Sequence, residues 1–479
     1  MPRVPILGGS YNQASLIAGA QRAVNLYPER NSESAQAPVN ITHYPRPGLR
    51  LLSTPPAGGQ GRGLYTATNG DLYAVINQAL YYIDPNFVWH QIGSLLTAST
   101  TPVYIADNGI NALLVDGSAF GVNITLSSRT ALAIADPNFL GGDRITFLNF
   151  FMLLNQPHSP NFYSTMAVSA TFNALFFGSL TEWPGNCIAV IASEAALWVF
   201  GPYKGEVWAD AGTSPFAFQV LSGVIIEHGL AGPYALGRQD VNVYWLSQSP
   251  EGARMAMRGA ANAAQRISTH AIEHEWLTYA KVSDCIVQSY QIRGHAFILY
   301  HFPTVDRTWC FDEATQEWHE EAFYDVNGIQ HRTRDTFMAY AYGKNVSLDW
   351  SNGNLYQRDE TIFSDNGIPC VYIRGMPHLI GEEFERITLW RVIADMECGN
   401  VGNTPNPLVT LQLSRDRGRS FVTHSVQTMG KTGQYVAKPT FNRCGMAAYD
   451  IVAQLSWAAD VKTALNGAFV VIEPHELDV

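Results

Sequence analysis

The chain has 479 residues, of which 47% are apolar and only 15% are charged, and its net charge at neutral pH is −11. This length exceeds what one compact core organises, and it predicts two or three units or one large closed β architecture. The acidic balance argues against tight, non-specific binding of nucleic acid, which requires clustered lysine and arginine to displace counterions. The acidic net charge is still compatible with a DNA duplex that passes an acidic surface without binding to it.

The low charge and the 12% aromatic content also indicate a surface that is partly covered by neighbouring molecules. A large β protein with a big core explains the same composition equally well. The cysteines stand singly, with no CxxC pair that would indicate a zinc or redox site. They are Cys187, Cys285, Cys310, Cys370, Cys398 and Cys444. We interpret them as buried thiols of a protein made in a reducing cytoplasm.

The beginning of the chain, residues 1–15, has no apolar stretch long enough for a signal peptide. The most apolar run, residues 187–200, is interrupted by Ser193 and Glu194 and is too short to span a bilayer. We therefore expect a protein that is not secreted by the usual route and that has no membrane span.

The turn signals are those of an all-β protein. Asn-Gly pairs, which accept the positive φ angles of tight hairpins, separate short apolar alternations. They begin at Asn69, Asn108, Asn327, Asn352, Asn366 and Asn466, with an Asp-Gly pair at Asp116. Only residues 260–279 favour a helix, for which Ser268 is a candidate N-cap of the second half.

Strand-like runs recur between residues 60 and 360 at steps of roughly 40 to 50 residues, the length of one four-stranded propeller blade. The runs are residues 71–76, 111–115, 150–154, 188–191, 243–246, 295–300 and 338–342. This pattern predicts a β-propeller of six or seven blades over residues 56–365. An irregular pair of β-sandwiches is the alternative. Trp89, Trp309 and Trp318, late in their blades, are expected to fill the space between blades.

The two ends of the chain lack the blade rhythm. Residues 1–55 are polar and rich in proline, which predicts an extended N-terminal arm that packs on another surface. Residues 366–479 contain five further apolar runs, which predict a C-terminal antiparallel β-sandwich domain for the platform or oligomer contacts.

Two groups of segments resemble a known family. The first contains GGSY at residues 8–11, AQRAVNLYPE at 20–29, YPRPGL at 44–49 and GRGLY at 61–65. The second contains LQLSRDRGRSF at residues 411–421, GKTGQY at 430–435, FNR at 441–443 and LNGA at 465–468. In this order and spacing they resemble the packaged-DNA stabilisation family, the head-completion or tail-hub (nozzle) proteins of short-tailed phages. IEHGLAG at residues 226–232 and RISTH at 266–270 also fit.

The resemblance implies a structural virion protein with no catalytic residue, metal or cofactor. Such proteins form a six-fold ring below the portal and adaptor rings, which extends the DNA channel and retains the packaged genome. They also dock tail fibres or tailspikes and a plug. The resemblance therefore implies a location in the virion tail after assembly in the host cytoplasm, with DNA passing through the lumen without sequence-specific binding.

The same resemblance suggests candidate residues for subunit interfaces. Arg22, Asn25 and Tyr27 would belong to an arm that packs between subunits or onto the propeller. Lys431 and Arg443 would reach carboxylates of a neighbouring subunit. Ordinary surface or intrachain contacts are the alternative for each residue.

Two motifs resemble catalytic signatures. His270, Glu273 and His274 have the HxxEH spacing of inverted zinc proteases, but no third ligand is identified, and surface positions on a short helix explain them better. The run from Ser414 to Phe421 resembles the Asp-box hairpin of sialidases, a folding device in which Asp416 would bind backbone amides of its own turn.

Two alternative functions stay open from the sequence. A sialidase-like propeller glycosidase is suggested by the Asp-box and the aromatic residues, and it would bring arginine and acid side chains together in the central mouth of the propeller. A receptor-binding tail protein would have the same composition and would be expected as a trimer.

Overall fold

The computed structural model describes residues 3–4, 6, 8–12, 14–31, 41–181, 183–381 and 384–474. Strands dominate this part of the chain, in which the only helix is His270–Leu277. Within these residues no helix is long and apolar enough to cross a bilayer. The turn glycines behave as the sequence predicts: Gly70 and Gly109 have φ angles of +85° and +82°, which a side chain would disfavour.

In the described part of the chain, seven four-stranded antiparallel units, here called blades 1 to 7, follow one another. Blades 1 to 3 are Gly61–Thr66, Leu72–Ile76, Ala79–Ile83, Trp89–Ser94; Tyr104–Asp107, Asn111–Val115, Gly121–Thr125, Thr130–Ala133; and Ile145–Leu148, Phe151–Asn155, Asn161–Thr165, Phe172–Ser179. Blades 4 to 6 are Ala189–Ser193, Ala196–Phe200, Gly205–Asp210, Phe218–Ile226; Leu236–Gln239, Asn242–Gln248, Arg254–Ala260, Ala263–Arg266; and Ile286–Ile292, His295–Phe302, Arg307–Asp312, Glu317–Glu321. Blade 7 contains Asp335–Ala341, Lys344–Asp349 and Leu355–Asp359, with a fourth strand from elsewhere.

The blades close into a ring. The first strand of each blade contacts the first strand of the next, and Gly61–Thr66 of blade 1 contacts Asp335–Ala341 of blade 7. The predicted β-propeller is therefore confirmed, and it has seven blades. Apolar side chains of successive blades share the clusters between them, where Trp89, Trp309 and Trp318 are buried.

The fourth strand of blade 7 comes from the beginning of the chain. Gly48–Ser53 pairs antiparallel with Leu355–Asp359, with Leu49 opposite Arg358. The pairing joins the two ends of the propeller by backbone hydrogen bonds, so the ring closes without a free edge in that blade. The segment in which the sequence predicts an extended arm thus supplies part of the propeller itself.

Two sheets pack face to face beyond the propeller and form an antiparallel β-sandwich. The first contains Thr440–Ala447, Ile387–Met396, Leu465–Pro474, Ile41–Pro45 and Leu26–Arg30, with Arg3–Val4 beside Leu465–Pro474. The second contains Ala23–Val24, Val371–Ile380, Asp450–Ala458, Leu408–Ser414 and Val422–Thr428. Buried side chains of both sheets, such as Leu389 and Val392 from one and Leu411 and Leu455 from the other, form one core.

The sandwich and the propeller share a sheet. Ala23–Val24 pairs in parallel with the outermost strand of blade 6, Glu317–Glu321, and antiparallel with Val371–Ile380 of the sandwich. The remaining short strand pairs are Tyr11–Asn12 with Ala20–Gln21, Phe323–Tyr324 with Gln330–His331, and Ser364–Asp365 with Ile368–Pro369. The division of the chain at residues 55 and 365 stays a prediction, and strands from residues 23–53 enter both larger units.

The helix is shorter than the pattern of residues 260–279 predicts. The alanine-rich half is a strand, Ala263–Arg266, because it pairs with Arg254–Ala260 as the outer edge of blade 5. Thr269 caps the helix, since its side chain accepts a hydrogen bond from the amide of Ile272. Ser268 instead accepts from the amide of Ala256.

Candidate functional site

Arg22 attaches the N-terminal segment to blade 6. Its Nε and Nη2 donate to Oε1 and Oε2 of Glu320 at 2.7 and 2.6 Å, and Nη2 also donates to Gln330 at 2.6 Å. Burial would raise the pKa of the Glu320 carboxyl, but the charge of Arg22 outweighs it and lowers that pKa. This bidentate pair fixes the register of the segment on the blade.

Asn25 is completely buried at the junction between blade 6 and the sandwich. Its Nδ2 donates to the carbonyls of Ala322 and Val371 at 2.9 and 2.8 Å, and its Oδ1 accepts from the Ala322 amide and from Nε of Arg46, both at 2.8 Å. Its φ of +58° is one that asparagine tolerates better than most residues. One side chain therefore satisfies four buried polar groups from three parts of the chain.

Replacement of Asn25 by alanine is expected to lower the free energy of unfolding by about 3–5 kcal/mol, because it leaves buried donors and acceptors unpaired in addition to straining the backbone. Chemical denaturation followed by tryptophan fluorescence measures this. Asn366→Ala is the matched control, since Asn366 has a φ of +51° but an exposed side chain, and about 1 kcal/mol is expected there. Equal losses in both variants would show that only the backbone angle matters.

Tyr27 packs within the same chain. Its ring lies edge-on against His295 and Phe297, with centroid distances of 5.1 and 5.2 Å. Arg22, Asn25 and Tyr27 thus contact the propeller of their own chain, and a role at a subunit interface stays a prediction for them.

Three buried arginines, which the sequence did not single out, tie the junction together. Arg46 pairs with Asp365 at 2.5 Å. Arg358 of blade 7 holds Glu321 of blade 6 at 2.9 Å and Asp335 at 2.7 Å. Each of these pairs is almost fully enclosed, so removal of one partner would leave an uncompensated charge.

The third of these arginines, Arg374, comes from the sandwich. Its guanidinium donates to the backbone carbonyls of Gly8, Gly9 and Arg22. It therefore holds two separate parts of the N-terminal segment against Val371–Ile380. Arg358 thus joins blades 6 and 7, and Arg374 joins the sandwich to the N-terminal segment.

Cys310, His319 and Glu321 form a buried group whose ligand-type atoms lie within 4.8 Å of one another. Burial raises the pKa of the Cys310 thiol well above its usual range, which disfavours the thiolate that binds metal. Both oxygens of Glu321 accept from Arg358. We interpret the group as part of the buried ion-pair network.

Arg443 lies on the outer face of the first sandwich sheet. Together with Trp390, Arg391, Asn442 and Val471 it lines an open groove of about 740 Å³. Trp390 is 48% exposed, and Arg391 donates to Asn442 at 2.7 Å. We call this surface the Trp390 face. Sequence patterns did not indicate the exposure of Trp390, because an exposed tryptophan and a buried one cannot be distinguished in the sequence of a strand.

Lys431 lies at one end of the sandwich, in a loop that also contains the exposed residues Tyr435 and Val436. Val401 and Leu408 of the adjoining segment are exposed as well, and Gly433 donates to the carbonyl of Gly399 at 2.8 Å. We call residues 399–408 and 429–437 the end loops. An apolar surface of this kind, on a chain with few charges, is typical of a contact surface.

The catalytic-looking motifs have structural roles. Glu273 is engaged by Arg266 and by the hydroxyl of Ser268, and His270 is 87% exposed on the side chain. Asp416 accepts from Ser414, Arg419 and Ser420, and these hydrogen bonds lower the pKa of its carboxyl below the usual range. The two motifs thus stabilise a helix start and a hairpin turn.

One mouth of the propeller contains Arg62, Arg332 and Asp284. Among the described residues that line it, Asp284 is the single carboxylate, whereas most glycosidases use a pair. Burial raises the pKa of Tyr234, another lining residue, and a tyrosine nucleophile would need the opposite shift. These residues therefore do not form the active-site arrangement of a sialidase.

A seven-bladed propeller that shares a strand with a β-sandwich, with exposed apolar side chains on the sandwich, is typical of a structural scaffold. The family model described as "Bacteriophage P22 Gp10, beta-propeller" matches residues 2–363. The chain belongs to this phage-stabilisation family and is a phage structural protein. The resemblance of the N-terminal segments is thereby confirmed, while the segments from residue 411 onward lie beyond the matched range.

No curated protein matches the chain. Among solved structures, one chain of a crystal structure of the mitotic checkpoint complex aligns with a TM-score of 0.43 and 11% identity. The alignment covers 69% of this protein and 98% of that chain. At this level of similarity it carries nothing about function.

Proposed function

We propose that this protein is the tail hub, or nozzle, of a short-tailed phage. Six copies close into a ring below the portal and adaptor rings, in the virion tail, after assembly in the host cytoplasm. The ring extends the DNA channel, retains the packaged genome, and docks tail fibres or tailspikes and a plug. Its work is mechanical, with no bond made or broken.

The observation that carries the proposal is the pair of exposed apolar surfaces on the sandwich. A cyclic ring needs two different surfaces per subunit, each complementary to the other on the neighbour. The Trp390 face and the end loops occupy different places on the sandwich. The Trp390 face combines one exposed tryptophan with Arg391 and Arg443, and the end loops combine exposed Val401, Leu408, Tyr435 and Val436 with Lys431. Tryptophan and arginine are enriched among residues that dominate interface energetics.

The rigid junction supports the same role. A ring that holds pressurised DNA must transmit force between subunits without internal hinges. Ala23–Val24 pairs with strands of both the propeller and the sandwich, and Asn25 bonds to Ala322 at the end of blade 6 and to Val371 of the sandwich. The net charge of −11 favours a lumen from which phosphates are repelled, so DNA leaves without sticking. Membrane spans and cofactors have no part in this mechanism.

Native mass spectrometry of the purified protein, alone and with a portal–adaptor complex, tests the proposal. We expect a species of six times the 52.8 kDa chain mass, formed alone or on the complex. A trimer that adsorbs to host cells would support a receptor-binding protein instead. A monomer that neither binds the complex nor closes into a ring would overturn the proposal.

A further inference from the structure

A second cavity, of about 360 Å³, lies at the mouth of the propeller opposite to that of Asp284. Its walls come from the ends of the first strands of blades 5 and 6 and from blade 7. Asp284, by contrast, stands just before the first strand of blade 6, and first strands run alongside the central channel. We call this space the Tyr340 cavity, and its volume accommodates one sugar ring.

Two amide side chains of the Tyr340 cavity are held in fixed orientations by their own NH2 groups. Nε2 of Gln291 donates to Asp240 at 2.8 Å, and Nδ2 of Asn345 donates to the carbonyl of Gln291 at 2.7 Å. Oε1 of Gln291 and Oδ1 of Asn345 have no partner among the described residues. Neither residue is buried, so both oxygens are accessible acceptors for the hydroxyl groups of a ligand.

Gln239 adds an amide that can both donate and accept. The residue is only 8% exposed, and its side chain has no hydrogen-bond partner within the described chain. Its amide atoms keep accessible surface on the cavity, unlike the enclosed polar atoms of the core. A largely desolvated amide without a partner is costly, and a ligand hydroxyl that donates to its oxygen or accepts from its nitrogen would remove that cost.

Tyr340 supplies an apolar surface beside these amides. It is 66% exposed, although it lies on the first strand of blade 7 between the buried residues Phe337 and Ala341. A ring this exposed adds little to the core, but its flat face can pack against the C–H groups of a sugar ring. An aromatic face next to several amides therefore matches a ligand that has both an apolar face and a rim of hydroxyl groups.

The charge of the Tyr340 cavity favours a neutral ligand. Arg358 is the single charged residue among the described residues that line it. Its guanidinium is already bound to Glu321 at 2.9 Å and to Asp335 at 2.7 Å, and the residue is 2% exposed. The cavity therefore offers no available cation to an anionic ligand and no available carboxylate to a cationic one.

We propose that the Tyr340 cavity binds one ring of a neutral carbohydrate. The sugar ring stacks on Tyr340, and its hydroxyl groups donate to Gln291 and Asn345 and pair with the amide of Gln239. A peptide backbone carries one N–H per residue, whereas adjacent hydroxyls of a sugar supply several donors within this volume. The site goes beyond the ring-forming role, since it uses the propeller and none of the sandwich surfaces.

Isothermal titration of the purified full chain tests the site with matched neutral and charged sugars. The neutral probes are the methyl α-glycosides of glucose, galactose and mannose, and each is compared with the uronate of the same sugar. Acetyl-Gly-Gly-amide is the peptide probe. We expect at least one neutral glycoside to bind, and to bind more tightly than its uronate and than the peptide.

Tyr340→Ala and Gln239→Met are each expected to lower the affinity for that glycoside about 10-fold, because one removes the stacking face and the other an amide. Tyr340→Phe keeps the face and should retain most of the affinity. Tyr435→Ala is the matched control, since Tyr435 is 68% exposed but lies on the sandwich. Melting temperatures verify that the variants fold. No binding of any glycoside, equal or tighter binding of the uronates or the peptide, or unchanged affinity in Tyr340→Ala would overturn the proposal.

Discussion

Replacing Arg358 by methionine is expected to lower the free energy of unfolding by about 3–5 kcal/mol. Arg358 is 2% exposed and binds two carboxylates, Glu321 on the neighbouring blade and Asp335 on its own. Burial alone would lower the pKa of Arg358, but these carboxylates outweigh it and raise that pKa well above its usual range. Without the guanidinium, two like charges remain enclosed and repel each other.

The control is Arg50→Met, which removes an exposed ion pair next to Arg358. Arg50 on Gly48–Ser53 pairs at 2.7 Å with Asp359, the residue after Arg358, but on the solvent side, where the Arg50 side chain is 48% exposed. Arg50→Met should cost less than about 1 kcal/mol, because water already screens that pair. Thermal melts and urea denaturation followed by near-ultraviolet circular dichroism compare the two variants.

A rescue variant separates the loss of charge balance from the loss of packing. Combining Arg358→Met with Glu321→Gln and Asp335→Asn removes both uncompensated charges and should recover part of the lost stability. If the triple variant is no more stable than Arg358→Met, or if Arg358→Met and Arg50→Met melt alike, the ion-pair network does not hold blades 6 and 7 together.

Replacing Trp390 by glutamate is expected to prevent ring formation while leaving the fold of each subunit intact. Trp390 has half of its surface exposed in the isolated chain, so little of the core depends on it. Interface tryptophans commonly contribute about 2–4 kcal/mol each when they become buried against a partner. In a closed ring this loss occurs at every interface, so its effect on assembly multiplies.

Leu132 supplies the matched control. It is 67% exposed on the outermost strand of blade 2, away from the sandwich. Leu132→Glu introduces the same charge at an equally accessible apolar position, and assembly should persist. Analytical ultracentrifugation measures the assembly state, and melting temperatures verify that both variants fold. A ring that survives Trp390→Glu would exclude the Trp390 face as an interface.

Local sequence determines the blades. The hairpin signals at Asn69 and Asn108 work because the glycine that follows accepts a positive φ whatever surrounds it. The recurring apolar runs predict strands that are buried on both faces between blades, and the structure places Leu113 and Leu153 there. The fold class thus follows from periodicity and turn chemistry, whereas the family followed from the resemblance of ordered motifs to those of known proteins.

Tertiary structure alone decided how these strands are completed. Which segment fills the free edge of blade 7 depends on where the chain returns in space, and no pattern within Gly48–Ser53 specifies Leu355–Asp359 as its partner. The same holds for Ala263–Arg266, whose helix-favouring alanines yield to pairing with an existing strand edge. Arg358, a single cation in a strand, reveals its role only when burial removes water and two acids must be balanced. The local sequence determines turn and strand preferences, whereas the pairing of distant strands and the desolvation of charged groups depend on the complete fold.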